Sequence, residues 1–214
     1  MQSFRQNMQV AAAYDDWSRT YDADGNLTRD LDEQVTRKTL GDSRNQSILE
    51  IGCGTGKNTR WLSENGHKVH AIDFSAAMIQ QAQEKCRREN VTFTLADITK
   101  RWPAADASVD LITCNLVLEH ISGLGFIFTE AARVLINGGL CFVSELHPFR
   151  QYQGVQARFE RGARTMAIPA FVHHVSDFLG AAASANLSLV AMNEWWHKED
   201  ENKLPRLISF MFRK

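Results

Sequence analysis

The chain has 214 residues, 44% of them hydrophobic, which is enough for one domain with a sizeable core. Lys and Arg total 24 and Asp and Glu total 25, so the net charge of −1 argues against a nucleic-acid-binding protein, which usually carries a basic excess. No apolar run reaches the roughly 18 residues of a transmembrane helix, no secretory signal precedes the first polar segment, and the four cysteines form no CxxC pair. We therefore expect a soluble, cytoplasmic, single-domain protein without a disulfide framework or structural zinc site.

The first two thirds of the chain predict alternating helices and strands. The predicted elements are a helix over 28–40 with Thr28 as its N-cap, a strand over 47–51, a helix over 56–65, a strand over 67–72, a helix over 76–89 capped by Ser75, strands over 91–95 and 109–114, a helix over 123–136 ended by Asn137-Gly138-Gly139, and a strand over 140–144. This alternation predicts βαβ units and a parallel sheet covered on both faces.

The pattern changes after Glu145. Residues 146–170 are predicted to be irregular, and a helix over 173–185 follows them. Strands over 187–194 and 206–213 look like a hairpin. We therefore expect a mixed sheet that is antiparallel at one edge.

A glycine-rich loop, Gly52-Cys53-Gly54-Thr55-Gly56, stands where a strand turns into a helix. Glycines allow positive φ and a close approach of a ligand to the backbone, and the helix N-terminus behind them offers free N–H groups. The phosphate-binding pattern GxxxxGK[ST] fails, because Ile51 stands at its first glycine and Asn58 follows Lys57. The dinucleotide pattern GxGxxG/A fits poorly, because Lys57 holds its third small-residue position.

The remaining pattern is apolar-acid-apolar followed by GxGxG, over residues 49–56. It resembles motif I of the class I S-adenosylmethionine-dependent methyltransferases. Segments 96–98, 110–115 and 135–140 also resemble the family in order and spacing, so the resemblance covers about residues 45–145. It implies an α/β fold, a Rossmann-like three-layer sandwich with a mostly parallel seven-stranded sheet and an antiparallel C-terminal edge hairpin.

The resemblance also implies a site for S-adenosylmethionine, with S-adenosylhomocysteine as the product, at the carboxyl ends of the strands. Glu50 and the glycine loop would hold the methionyl end, Asp73 the ribose hydroxyls and Asp97 the adenine amino group. Phe74 and Met78 would pack on the adenine, and Cys53 would serve as a small loop residue rather than a nucleophile. The full predicted cofactor-binding set is Tyr14, Tyr21, Glu50, Gly52, Cys53, Gly54, Gly56, Asp73, Phe74, Met78, Asp97, Ile98, Asn115 and Leu116.

The N-terminal segment Tyr14-Asp15-Asp16-Trp17, followed by Tyr21-Asp22, resembles the Tyr-Asp lid of ubiquinone/menaquinone-type and biotin-pathway methyltransferases. Aromatic rings in such a lid can cover a sulfonium and exclude water. Trp17 is predicted to contact the acceptor. The alternative is that these aromatic residues only pack an N-terminal helix on the sheet.

Three histidines are candidates for a general base: His120 in Glu119-His120, His147 after the fifth strand, and His174 at the start of the late helix. Capping or packing is the alternative for each. In ubiquinone O-methyltransferases a related ExxEH motif binds a metal. Here Leu116 replaces the first Glu, so we predict no metal site.

Three arginines, Arg158, Arg161 and Arg164, recur at helical spacing within residues 146–170. They are candidates for recognising a carboxylate or phosphate on the acceptor. A solvated basic face is the alternative.

These expectations combine into one methyltransferase domain over 1–214, made of a lid and helices over 1–44, a cofactor-binding core over 45–145, an acceptor-side insertion over 146–170, and a C-terminal helix and hairpin over 171–214. Its expected activity is in-line methyl transfer to an O, N or C nucleophile of a small-molecule metabolite. We expect a monomer or homodimer with no nucleic-acid or membrane partner. A non-catalytic S-adenosylmethionine-binding protein, an NAD-type oxidoreductase and an RNA methyltransferase are the alternatives, the last disfavoured by the balanced charge.

Overall fold

A computed structural model describes residues 2–41, 46–64, 68–161, 164–201 and 203–214, with residues 2–8 and 161 described through their backbone. The predicted helix end at Asn65, the predicted strand start at His67 and the boundary between residues 44 and 45 lie outside the described residues.

Nine strands are described, and seven of them form the main sheet. Their bounds are β1 Ser47–Ile51, β2 Lys68–Asp73, β3 Val91–Leu95, β4 Val109–Asn115, β5 Leu135–Leu146, β6 Arg158–Arg161, β7 Arg164–Ala167, β8 Ser188–Trp195 and β9 Leu207–Arg213. The main sheet has the order β3-β2-β1-β4-β5-β9-β8, and β6 pairs with β7 separately. The first five strands are parallel, whereas β9 is antiparallel to both β5 and β8. The predicted fold class is confirmed.

Helices cover both faces of this sheet. Their bounds are α1 Gln2–Trp17, α2 Leu27–Leu40, α3 Lys57–Glu64, α4 Ala76–Lys85, α5 Gly125–Val134, α6 Pro148–Tyr152 and α7 Val175–Ser184, with a 3₁₀ turn at Leu118–His120. Successive side chains of β1 point to opposite faces of the sheet, so this strand contributes to two hydrophobic cores. Ile48 joins the core under α2, α3 and α4, while Leu49 and Ile51 join the core under α5 and α7. No helix among the described residues is long and apolar enough to cross a bilayer.

Several predicted boundaries are wrong, among them the end of α4, which lies at Lys85 rather than residue 89, and the start of β5, which lies at Leu135 rather than residue 140. Helix α2 is capped by Asn26 rather than Thr28, because the Asn26 side-chain oxygen accepts from the backbone N–H groups of Thr28 (3.0 Å) and Arg29 (3.1 Å). Helix α5 ends at Val134 rather than residue 136, because Leu135 already pairs with β4 and begins β5. The predicted cap Ser75 is confirmed, since its hydroxyl accepts from the N–H of Met78 at 3.1 Å.

The segment over 146–170 is not irregular, and Arg158, Arg161 and Arg164 lie on strands rather than on a helix. Residues 158–167 form the β6–β7 hairpin, in which Arg158 pairs with Ala167 and Phe159 with Met166. Arg158 is exposed and Phe159 is buried, as strand alternation requires. The buried Phe159 anchors this hairpin on the N-terminal aromatic residues, where its ring stacks on Trp17.

Candidate active site

The glycine loop between β1 and α3 has three positive-φ positions that only glycine tolerates well, Gly52, Gly54 and Gly56. Gly52 has φ +69° and Gly54 has φ +53°. A Cβ on Gly52 would lie 2.2 Å from Cγ2 of Val117, so the loop passes directly against the residues that follow β4. A Cβ on Gly54 would meet no atom within 4 Å, so open space adjoins the loop there.

Asp73 closes this loop from the end of β2. Its two carboxylate oxygens accept from the N–H of Gly54 (2.9 Å) and the N–H of Ser75 (2.9 Å). Burial raises the pKa of Asp73 to about 6. Each oxygen keeps a second lone pair, so the carboxylate can accept two further hydrogen bonds from a ligand.

A cavity of about 730 Å³, partly open to solvent, lies beside the loop; we call it the central cavity. The predicted cofactor residues that line it are Tyr14, Tyr21, Gly52, Gly54, Asp73, Phe74, Met78, Asp97, Ile98, Asn115 and Leu116. Four more lining residues, which are not in the predicted set, are Val10, Ala96, Val117 and Ile121. Acids at the ends of β2 and β3 thus meet apolar walls.

A second space, the loop cleft, joins the central cavity on the α2 side and holds two buried acids. Glu50 accepts from the Thr59 hydroxyl (2.5 Å), and burial raises its pKa to about 8. Asp32 accepts from the side-chain amides of Asn115 (2.9 Å) and Asn58 (3.4 Å), and burial raises its pKa as well. A cation in the cleft would stabilise the ionised form of both carboxyl groups, so the cleft suits an ammonium group.

Two functional candidates in the loop cleft, Arg29 and Asp32, are not marked by any sequence motif. They lie three residues apart on α2 and therefore share one helix face, which is the only signal that the sequence carries. Nε of Arg29 and Oδ1 of Asn58 are buried and have no hydrogen-bond partner among the described residues. Buried polar atoms of this kind are usually satisfied by a ligand or ordered water.

The two other loop residues differ in placement. Cys53 lines the loop cleft, and burial raises the pKa of its thiol well above its ordinary value, so the thiol stays protonated. Gly56 is absent from the described lining of both spaces. An added Cβ there would lie 3.0 Å from Ala82, so Gly56 lets α3 pack closely on α4.

The N-terminal segment closes the central cavity through its acids. Asp15 accepts from the Ser75 hydroxyl (2.5 Å) and from a backbone N–H of α4. Asp22 accepts from the Thr55 hydroxyl in the glycine loop (2.7 Å) and pairs with Lys85. Residues 14–22, which we call the lid, are thus tied to the loop and to α4 on either side of the cavity.

An outer cavity lies on the other side of the lid. Tyr14, Tyr21 and Leu116 line both it and the central cavity, so these three residues form a shared wall. Its other walls come from Trp17, residues 25–29 at the start of α2, Glu119, Leu146, residues 155–158, and Arg206. Leu116 holds this position with φ +56°, an uncommon backbone conformation for a branched side chain.

The three candidate histidines fall in different places. His120 lines the central cavity, where its Nε2 bonds the Tyr14 hydroxyl (2.9 Å) and its Nδ1 bonds the carbonyl of Pro169 (2.8 Å). Burial lowers its pKa, so the ring is neutral. His147 and His174 are absent from the described lining of either cavity. His147 caps α6 through Phe149 N–H, and His174 precedes α7.

The candidate substrate arginines also lie in different places. Arg158 lines the outer cavity beside Trp17, whereas Arg164 is exposed on β7 and is not part of the described lining. The side chain of Arg161 lies outside the described part of the chain. Among the described residues, no group of three or more His, Cys, Asp or Glu side chains is arranged to hold a metal ion.

Comparison with known proteins finds a match over the motif region. Residues 49–143 match the family described as a methyltransferase domain. The chain is 36% identical over 115 residues to the demethylmenaquinone methyltransferase of Tropheryma whipplei (strain Twist), covering 53% of this chain and 47% of that protein. It is 35% identical over 130 residues to the malonyl-[acyl-carrier protein] O-methyltransferase of Pseudescherichia vulneris, covering 61% and 50% respectively. The matches therefore span about half the length of these relatives.

A solved structure shares the fold. The S-adenosylmethionine-dependent methyltransferase from Mesorhizobium loti aligns with a TM-score of 0.71 and 19% identity, covering 85% of this chain and 96% of that chain. Residues 49–143 are therefore similar to a methyltransferase domain, and the chain shares the fold of a solved methyltransferase structure.

Proposed function

We propose that this chain transfers a methyl group from S-adenosylmethionine, bound in the central cavity and loop cleft, to a small molecule in the outer cavity. The observation that carries the proposal is the shared wall of Tyr14, Tyr21 and Leu116, which places the two ligand spaces side by side. When bound, S-adenosylmethionine supplies an electrophilic methyl group on a positively charged sulfur.

The residues present fit this cofactor. Asp73 would accept the ribose hydroxyls, and Asp97 the adenine amino group. Phe74, Met78 and Ile98 would pack on the adenine ring, since all three line the central cavity. In the loop cleft, the methionyl ammonium would meet Glu50 and Asp32, and its carboxylate would meet Arg29.

The chain then contributes alignment and exclusion of water. Methyl transfer requires the attacking atom, the methyl carbon and the sulfur to lie in line, so most of the rate comes from holding two molecules in that geometry. The lid supplies aromatic rings whose faces attract a cation, and its closure keeps water from the reacting atoms.

The proposed division of labour follows the predicted segments. Residues 1–44 would supply the lid, residues 45–145 the cofactor site, residues 146–170 one wall of the outer cavity and residues 171–214 the remaining helix and edge strands. The relatives are named for different substrates, demethylmenaquinone in one case and malonyl-[acyl-carrier protein] in the other. We propose a small-molecule acceptor without choosing between oxygen, nitrogen and carbon here.

Calorimetry tests the cofactor. S-adenosylmethionine or S-adenosylhomocysteine should bind, and NAD(H) should bind much more weakly. Strong NAD(H) binding without S-adenosylmethionine binding would support the oxidoreductase alternative instead. Incubation of the protein with methyl-labelled S-adenosylmethionine and a metabolite extract, followed by mass identification, tests the transfer. Cofactor binding with no labelled product from any extract would favour the non-catalytic binding protein.

The Asp73→Ala variant is expected to lose roughly 1–3 kcal/mol of S-adenosylmethionine affinity, the range for hydrogen bonds to a charged acceptor. Because the ionised carboxylate accepts both hydroxyls, affinity of the unmodified protein should also decrease as the pH falls below about 6. Calorimetry across pH measures both effects. Asp106→Ala is the matched control, since Asp106 is exposed and pairs with Arg133. Equal affinities for the two variants would remove Asp73 from the site.

A further inference from the structure

One carboxyl group of the outer cavity remains unexplained by cofactor binding. Glu119 lines that cavity with only 6% of its surface exposed. Its Oε2 is buried and has no hydrogen-bond partner among the described residues, and its Oε1 lies 3.7 Å from the His120 ring. A buried carboxyl oxygen without a partner is costly, so a group that the ligand brings is the expected partner.

The backbone around Glu119 is firmly held. Oε1 of Glu145, at the end of β5, accepts from the N–H groups of Val117 (2.9 Å) and Leu118 (2.8 Å). The carbonyl of Glu119 itself accepts from the N–H of Phe171 at 2.6 Å. The backbone of Glu119 is therefore fixed in the 3₁₀ turn that follows β4, and the Gln151 side chain hydrogen-bonds its carboxyl group.

The other proton acceptors near the shared wall are already engaged. Nδ1 of His120 faces the carbonyl of Pro169, so it carries the proton, and Nε2 accepts from the Tyr14 hydroxyl. Burial raises the pKa of Tyr14 well above 10, so its hydroxyl stays protonated. Both ring nitrogens of His147 are engaged as well, one by Phe149 N–H and one by Glu194. Glu119 alone among these groups has a buried oxygen with no described partner.

We propose, resting on the function proposed above, that Glu119 is the general base and that the acceptor attacks through an O–H or N–H group. The proton of that group passes to Oε2, and the freed lone pair of the oxygen or nitrogen forms the new bond to the methyl carbon. The carbon–sulfur bond breaks, and its electron pair remains on the sulfur. His120 acts as a positioning residue that holds Tyr14 beside the reacting atoms.

Burial supports this role, because it raises the pKa of Glu119 to about 7, close to the pH at which a base works best. Charged and titratable groups face Glu119 from each neighbouring element: Tyr14 of α1, Arg29 of α2, His120 of the 3₁₀ turn, Glu145 of β5, Arg158 of β6 and Arg206 before β9. Arg206 is neutralised by a two-pronged pair with Asp200 (2.6 Å each). Arg29 is assigned above to the cofactor carboxylate, so Arg158 is the arginine of this cavity that suits an acceptor with an anionic group.

Three variants test the base: Glu119→Gln, Glu119→Asp, and Glu194→Gln as a matched control outside both cavities. Calorimetry with S-adenosylmethionine comes first, and all variants should bind within about twofold of the unmodified protein, which also establishes that each is folded. The second measurement is the initial rate of methyl transfer from labelled S-adenosylmethionine to a metabolite extract, from about pH 5.5 to about pH 9, with the labelled atom of the product identified by mass spectrometry.

The unmodified protein and Glu194→Gln should show a rate that rises with pH and levels off above about 7, because the base must be deprotonated. In Glu119→Gln the rate of methyl transfer should fall roughly 10²- to 10⁴-fold and should no longer rise with pH. Glu119→Asp should recover part of the rate. The product should carry the methyl on oxygen or nitrogen.

A Glu119→Gln rate within about threefold of the unmodified protein, with the same pH profile, would overturn the general base alone. A product methylated at an atom that has no proton to lose, such as a thioether sulfur, would also overturn it. Cofactor binding without labelled product from the unmodified protein would instead overturn the proposed function, and the base with it.

Discussion

Gly52→Ala is expected to lower the free energy of unfolding by about 2–5 kcal/mol, the sum of a left-handed backbone penalty and an overpacking penalty. The backbone at Gly52 has φ +69°, and the new methyl would lie 2.2 Å from the Val117 side chain. Relief of that clash must move either the loop or the residues after β4, and both line the central cavity. S-adenosylmethionine affinity should therefore fall as well. Denaturant unfolding and calorimetry measure the two effects.

Gly54→Ala is the matched control, because it shares the positive φ but not the clash. Its φ is +53°, and no atom lies within 4 Å of an added Cβ. We expect only the backbone penalty of about 1–2 kcal/mol in unfolding free energy. The added methyl would nevertheless enter the central cavity, so cofactor affinity should fall more than stability does. If the two variants were equally stable, the contact between the glycine loop and Val117 would not constrain the fold.

The sheet and its ligand edge could be predicted because their signals are local. Asp73 and Asp97 each follow a short apolar strand, and Gly52 follows another, so each strand end is visible in its own few residues. Parallel strands then bring these ends to one edge, which explains why the three residues line a single cavity.

The acceptor side could not be predicted in the same way, because its contacts are long-range. Strand β6 has four residues, too few to distinguish strand alternation from the helical spacing of Arg158, Arg161 and Arg164. What makes it a strand is the burial of Phe159 on Trp17, far away in the chain. His147 likewise looks like a free base in the sequence, but its Nε2 is engaged by Glu194, which is 47 residues away.

The unpaired oxygen of Glu119 could not be predicted from the local sequence either. The sequence places an acid beside His120, but an acid in that position could equally bond a backbone N–H, as Glu145 does. Only the packing around Glu119 shows that this residue lines a cavity and that one of its carboxyl oxygens is buried with no described partner. Burial without a partner depends on the whole fold, so local patterns cannot reveal it.

Trp17→Ala is expected to detach the lid without unfolding the sheet. Trp17 is 4% exposed, stacks on Phe159 at 5.4 Å between ring centroids, and donates its indole N–H to Asp24 at 2.7 Å. Removing a buried indole costs about 3–5 kcal/mol. Among the described residues, the buried hydrophobic cluster under the lid consists of Val10, Trp17, Phe159 and Ile168. It is separate from the two larger clusters on the faces of the sheet. That loss should exceed the free energy that holds the lid closed, so local opening should precede global unfolding.

Hydrogen exchange and methyl-transfer rates measure this opening. Amides of α1 and of the β6–β7 hairpin should exchange faster in Trp17→Ala, amides of β1 and β4 should keep their protection, and the transfer rate should fall at least about tenfold because water enters the site. Trp196→Ala is the matched control, since Trp196 is 49% exposed and lies beyond β8. Trp17→Phe should fall between them, because it keeps the stacking on Phe159 and loses the bond to Asp24. Uniformly faster exchange across β1 and α1 alike would show that the lid unfolds together with the sheet, and the closure of the site would then be a property of the whole domain.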